Sequence, residues 1–244
     1  HNGDDKMRAA KGVPSTAAIT PIQFCEKYCQ YVDEGYTDVI HVPINRSGSS
    51  TYNNAVMAQG MLREERPEHH LNIHLLDPHT YSMVFGWYLC EMARKLQNGA
   101  ELRHVISEFE TQMNKMEVIL GPYSLKQMKK SGRISAAAAV MGELMGIRPI
   151  ITLIDGKTRV ESKVRGDDKV IPAIIDLCKK RTEGVEDFDY MIGHTSIPQA
   201  VELEKACRKA FGKAPLTTFN LGGVVSANTG PDTLALVYVG KPRD

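Results

Sequence analysis

Small hydroxyl side chains crowd one short loop of this sequence. Asn45-Arg46-Ser47-Gly48-Ser49-Ser50-Thr51-Tyr52-Asn53-Asn54-Ala55 follows a largely β-branched run, Val39 to Ile44, and opens a helix that reaches about Arg63. Such a loop joins the carboxyl end of a strand to a helix N-terminus. It suits an anion, because free backbone N–H groups and the positive end of the helix dipole point into it. By spacing alone the same residues also describe a plain polar loop with a serine N-cap. A second stretch, Lys130 to Arg165, places Arg133 and Arg165 on either side of an apolar unit. That unit holds the helix Ala136 to Met145, with Glu143 its one charged residue, and the strand Ile150 to Leu153. Cations around an apolar wall suit an amphiphilic anion. The plainer alternatives are core packing for the wall and solvated arginines at element ends.

The elements that must position these groups alternate between strand and helix. Thr20 is a natural N-cap with Pro21 at the first helical position, and Gly35 is a natural stop, so a helix is expected from Ile22 to Glu34. Leu71 to Leu76 and Met116 to Leu120 read as strands, and Met83 to Leu96 and Glu101 to Met113 as helices. This order predicts an α/β fold of two domains. The first, residues 1–121, is a doubly wound parallel sheet, and Gly121-Pro122 marks the boundary to a second α/β domain, residues 122–244. In the second half Asp155-Gly156 suits a hairpin turn. A helix is expected over Val170 to Arg181, a strand over Tyr190 to Gly193 and a helix over Pro198 to Phe211. Strands over Thr217 to Leu221 and Thr233 to Val239 flank a loop from Gly222 to Asp232. Asp77 and His79 could be drawn as an acid–base pair, but neighbours this close rarely converge on one substrate, and a capping loop is the better expectation.

Composition narrows the function classes. Lys plus Arg number 30 against 29 Asp plus Glu, so nothing points to nucleic acid or to an anionic membrane surface. No apolar run approaches the roughly 20 residues of a transmembrane helix, and the first residues lack a signal-peptide pattern. The five cysteines are Cys25, Cys29, Cys90, Cys178 and Cys207. Only Cys25 and Cys29 are close, at i,i+4, and there is no CxxC pair. Neither a disulfide framework nor a zinc site is expected, and reduced cytoplasmic thiols are the simpler reading.

Four segments in fixed order, Gly132-Arg133-Ile134-Ser135, Ile147-Arg148-Pro149-Ile150, Asp155-Gly156 and Lys163-Val164-Arg165, resemble the DegV family. Members are bacterial carriers that hold a fatty acid between two α/β domains, so the resemblance implies a ligand tunnel between the domains. Ser49, Thr51 and Tyr52 fall on the family's Leu-Ser-Gly-Thr-Tyr motif, and Thr16 on the threonine of its Thr-Ser-Gln-Pro motif. Thr229-Gly230-Pro231 matches its His-Thr-Gly-Pro-Gly element, with Asn228 in the histidine position. Departures are Ser50 and Asp232 where glycine is usual, Ala17-Ala18 after Thr16, Pro78 in place of a serine, and the absence of an opening strand ending in Asp-Ser. Asparagine donates a hydrogen bond but carries no positive charge, which implies weaker or differently tuned head-group binding.

The resemblance implies a long-chain fatty acid whose carboxylate rests on Thr16, Ser49, Thr51 and Asn228. Its chain would lie against Ala136 to Met145, Ile150 and Ile151. Burying the chain gains roughly 0.8 kcal/mol per CH₂, so the apolar wall dominates affinity while the donors satisfy the desolvated head group. In relatives, arginines such as Arg133 and Arg165 lie near the opening where a fatty acid kinase phosphorylates the bound carboxylate. A carrier of this kind needs no cofactor or metal, has no catalysis of its own, and touches membranes only transiently. The alternative is a serine hydrolase using Ser49 on acyl substrates, but the sequence has no G-x-S-x-G elbow and no histidine placed to activate Ser49. Nucleotide binding lacks both G-x-G-x-x-G and the Walker lysine.

Overall fold

The computed structural model describes residues 6, 12, 14–132, 134 and 146–243. Arg133 and the expected helix Ala136 to Met145 lie outside the described residues. The chain divides into two compact units, Ala17–Tyr81 and a second made of His1–Thr16 with Ser82–Asp244. The expected boundary at Gly121-Pro122 instead ends a fully buried strand.

In the smaller unit, helix α1 (Pro21–Asp33) precedes strand β1 (Asp38–His41), helix α2 (Thr51–Glu65) and strand β2 (Asn72–Leu75). The start of α1 is a capping box. The Thr20 hydroxyl accepts from the Gln23 amide at 3.3 Å, and the Gln23 side chain accepts from the Thr20 amide at 3.0 Å. β1 and β2 pair in parallel, Asp38 opposite Asn72 through His41 opposite Leu75. Parallel pairing puts both carboxyl ends on one edge, so the loops after the two strands meet there. The core packs Phe24, Cys25, Tyr28 and Cys29 of α1 against Ala55, Ala58 and Leu62 of α2.

The larger unit contains α3 (Met83–Gln97), α4 (Leu102–Met113), β3 (Met116–Pro122), α5 (Lys126–Ser131), β4 (Ile147–Ile154) and β5 (Lys157–Arg165). It continues with α6 (Val170–Arg181), β6 (Tyr190–His194), α7 (Gln199–Phe211), β7 (Thr218–Asn220), α8 (Gly223–Thr229) and β8 (Thr233–Val239). Its sheet runs β5-β4-β3-β8-β6-β7, antiparallel throughout except between β6 and β7. The Asp155-Gly156 hairpin is present, with positive φ at both residues, the geometry that favours this pair of residue types.

Three expectations change. β3 does not extend the parallel sheet of β1 and β2. It pairs antiparallel with β4 and β8, and all seven of its residues are buried. Gly121 is there for close packing and not as a linker: a Cβ would lie 2.6 Å from Ile174 Cδ1 and 2.8 Å from Val170 Cγ1 of α6. The stretch expected as a loop after Leu221 forms α8, set off by Gly222 and Gly230, both at positive φ.

Candidate anion site

The hydroxyl-rich loop after β1 is held from within. Asn45 is 1% exposed, and its Oδ1 accepts from the Ser47 amide at 3.3 Å and the Ser47 hydroxyl at 3.1 Å. Its Nδ2 donates to the Tyr81 hydroxyl at 3.0 Å, and its amide donates to the Thr80 carbonyl at 3.0 Å. Asp77 fastens the same two loops, since its Oδ1 accepts from the Arg46 amide at 3.3 Å and the His79 amide at 2.9 Å. The expected helix cap is not formed by Asp77, since the N-cap residue of the next helix is Ser82, and His79 Nδ1 lies 3.7 Å from the other Asp77 oxygen.

On this frame Ser49 and Thr51 come together. Their hydroxyls lie 2.7 Å apart, and Ser49 Oγ accepts from the Thr51 amide at 3.2 Å, at the first residue of α2. Two half-buried hydroxyls at the positive end of a fifteen-residue helix can donate to a carboxylate. Among the described residues the partners of the Ser49 hydroxyl are the Thr51 hydroxyl and amide. Arg46 adds a charge nearby, its guanidinium 5.0 Å above the Tyr52 ring.

The remaining predicted residues belong to the larger unit. Thr16 is exposed. Arg165 is exposed at the end of β5, opposite Ile147. Asn228 lies in α8 with its Nδ2 donating to the Val224 carbonyl at 2.8 Å, while its own carbonyl accepts from Ser131 Oγ at 3.2 Å. Its amide donor is thus engaged within its own helix. Arg133 lies outside the described residues.

Asn45, Thr80, Tyr81 and Arg46 were not singled out by sequence. Thr80 carries the strongest signal, a buried hydroxyl with no hydrogen-bond partner among the described residues, on the residue whose carbonyl anchors Asn45. Burial without a partner is costly, and it is visible only in three dimensions.

One further titratable group lies in the smaller unit. His41 at the end of β1 sits with Nδ1 2.6 Å from the Tyr28 hydroxyl, edge-on to Phe24, and burial holds its imidazole below its ordinary range.

A family model described as an uncharacterised protein, DegV family, matches residues 4–241. A DegV domain-containing protein of Staphylococcus aureus strain COL is 29% identical over 97% of this chain and 81% of its own length. Among solved structures, a protein described as a fatty acid binding DegV family protein from Streptococcus agalactiae is 26% identical, covering 98% of this chain and 83% of its own at a TM-score of 0.83. A stearic acid-binding protein from Eubacterium ventriosum reaches a TM-score of 0.86 at 20% identity, covering 97% of this chain and 82% of its own.

Proposed function

The chain belongs to the DegV family, and from that premise we propose that it binds a long-chain fatty acid, with Ser49 and Thr51 receiving the carboxylate. The observation that carries this reading is that the hydroxyl pair, 2.7 Å apart at the start of α2, stands on the motif by which the chain resembles its family. The fold it shares with proteins described as binding fatty acids supplies the ligand class. Hydroxyls suit this head group: one O–H is free of the bond the pair shares, the other is released when the carboxylate replaces that bond, and a bond to an ionised oxygen is stronger than one between neutral partners. Thr16, Arg133, Arg165 and Asn228 are proposed as further ligand contacts on the motif match alone.

The same reading makes the protein a carrier that hands its ligand to a separate fatty acid kinase and performs no chemistry itself. No helix among the described residues is long and apolar enough to cross a membrane, and membrane contact is proposed only for loading and release.

Titration with a fluorescent long-chain fatty acid, followed by competition with oleate and with the uncharged oleyl alcohol, tests the proposal. Saturable uptake, displaced far better by oleate than by the alcohol, is the expected result. Equal competition by the two would remove the head-group role of Ser49 and Thr51. No uptake would remove the carrier reading. Transfer to a kinase is read separately, as acyl phosphate formed from the loaded protein, a fatty acid kinase and ATP.

A further inference from the structure

Two buried thiols of α1 face a carboxylate from the neighbouring helix. Cys25 is 1% exposed and Cys29 8%, one turn apart on the face of α1 that packs against α2. Glu65, the last residue of α2, reaches back to them. The Cys29 thiol lies 3.7 Å from Glu65 Oε2, and the three donor atoms all fall within 4.8 Å of one another. We propose that Cys25, Cys29 and Glu65 form a site for a thiophilic divalent cation of the zinc class.

The geometry suits that ion. Zinc sits at about 2.3 Å from sulfur and about 2.0–2.2 Å from a carboxylate oxygen, which sets tetrahedral donors roughly 3.5–3.8 Å apart. The Cys29–Glu65 separation already has that value, and the remaining donors need only a small closing movement. Two soft sulfurs and one oxygen select zinc or cadmium over magnesium or calcium, which take oxygen ligands. Glu65 is exposed, so a water can complete the fourth position. Sequence spacing suggested no metal site because α1 offers only two ligands; the third comes from another helix.

Both thiols must lose their protons to bind. Each Sγ–H bond gives way to an Sγ–metal bond with the electron pair retained on sulfur, so two protons leave per ion and no oxidant is needed. Apparent affinity therefore rises with pH across the neutral range. An ion here ties the middle of α1 to the end of α2, whose first residue is Thr51. The site is independent of the fatty-acid reading.

The test uses the full, reduced chain carrying Cys90→Ser, which removes the exposed thiol. Cadmium is titrated while the thiolate-to-metal absorption in the ultraviolet is followed, and zinc is measured by competition with a chromophoric chelator. One equivalent should bind, more tightly as pH rises. Cys25→Ser and Cys29→Ser should abolish the absorption. Loss of an outer-shell partner alone costs about 10–100-fold in metal affinity. Glu65→Gln, at an exposed position that leaves folding intact, should therefore weaken binding about tenfold or more. Absence of the absorption, its survival in the Cys25→Ser/Cys29→Ser double variant, or indifference to Glu65→Gln would overturn the proposal.

Discussion

Tyr81 and Gly48 share one volume: a Cβ added to Gly48 would lie 1.7 Å from the Tyr81 hydroxyl oxygen. That hydroxyl also accepts from Asn45 Nδ2. The loop carrying Ser49 and Thr51 is thus shaped from beneath by a residue more than thirty positions away in sequence. Gly48→Ala must displace Tyr81 or the loop, an overpacking cost of about 1–3 kcal/mol. Reduced fatty-acid affinity together with a lower Tm is the expected outcome, read by ligand titration and thermal melting.

Ser49→Ala and Thr51→Val separate binding from folding. Both side chains are half-buried, and their shared hydrogen bond contributes only modestly to stability. A hydrogen bond to a charged ligand contributes about 1.5–3 kcal/mol, so each variant should bind oleate roughly ten- to a hundredfold more weakly. The Tm of the unliganded protein should change little. Unaltered affinity in both variants would exclude the pair from the head-group site.

The larger unit holds a part-buried ion pair, its Glu117 side chain 8% and its Arg181 side chain 30% exposed. Arg181 Nε lies 2.6 Å and its second nitrogen 3.1 Å from the two Glu117 oxygens, and the Tyr238 hydroxyl donates to the same carboxylate at 2.6 Å. Arg181→Met leaves the Glu117 carboxylate without its cation but with its Tyr238 bond, a loss of about 1–3 kcal/mol. Replacing both, as Glu117→Leu/Arg181→Met, should recover part of that loss. Chemical denaturation of the two variants measures the difference.

His41 makes the smaller unit acid-sensitive. Its folded pKa lies below the ordinary value of 6.5 because burial disfavours the imidazolium. The unfolded chain then takes up a proton at higher pH than the folded one. Stability is therefore full above about 6.5 and falls as pH drops from there towards the folded pKa. Thermal melts should show this loss, and His41→Gln should flatten the profile in that window.

Much of the local structure was legible because it depends on neighbours in sequence. Thr20 caps α1 with Pro21 at its start, Asp155-Gly156 forms its turn, and the ends of α6 and β8 fall where pattern placed them. Pairing partners were not legible. The apolar run of β3 fits either a parallel sheet or the antiparallel one it joins, and nothing near it in sequence names β4 and β8 as its neighbours. The glycine at 121 looked like a break because its reason for being glycine, the approach of Ile174, comes from α6. The site divides in the same way. Ser49 and Thr51 were readable as loop hydroxyls before a helix, whereas Asn45, Thr80 and Tyr81 gain their roles only when the loops after β1 and β2 meet.

Native mass spectrometry of the purified chain, with the extracted ligand identified by lipid mass spectrometry, tests the central claim most directly. The account predicts one long-chain fatty acid per chain, retained by the wild type and depleted in Ser49→Ala/Thr51→Val. A chain that emerges empty and takes up neither added palmitate nor oleate, or a double variant loaded as fully as the wild type, would contradict it.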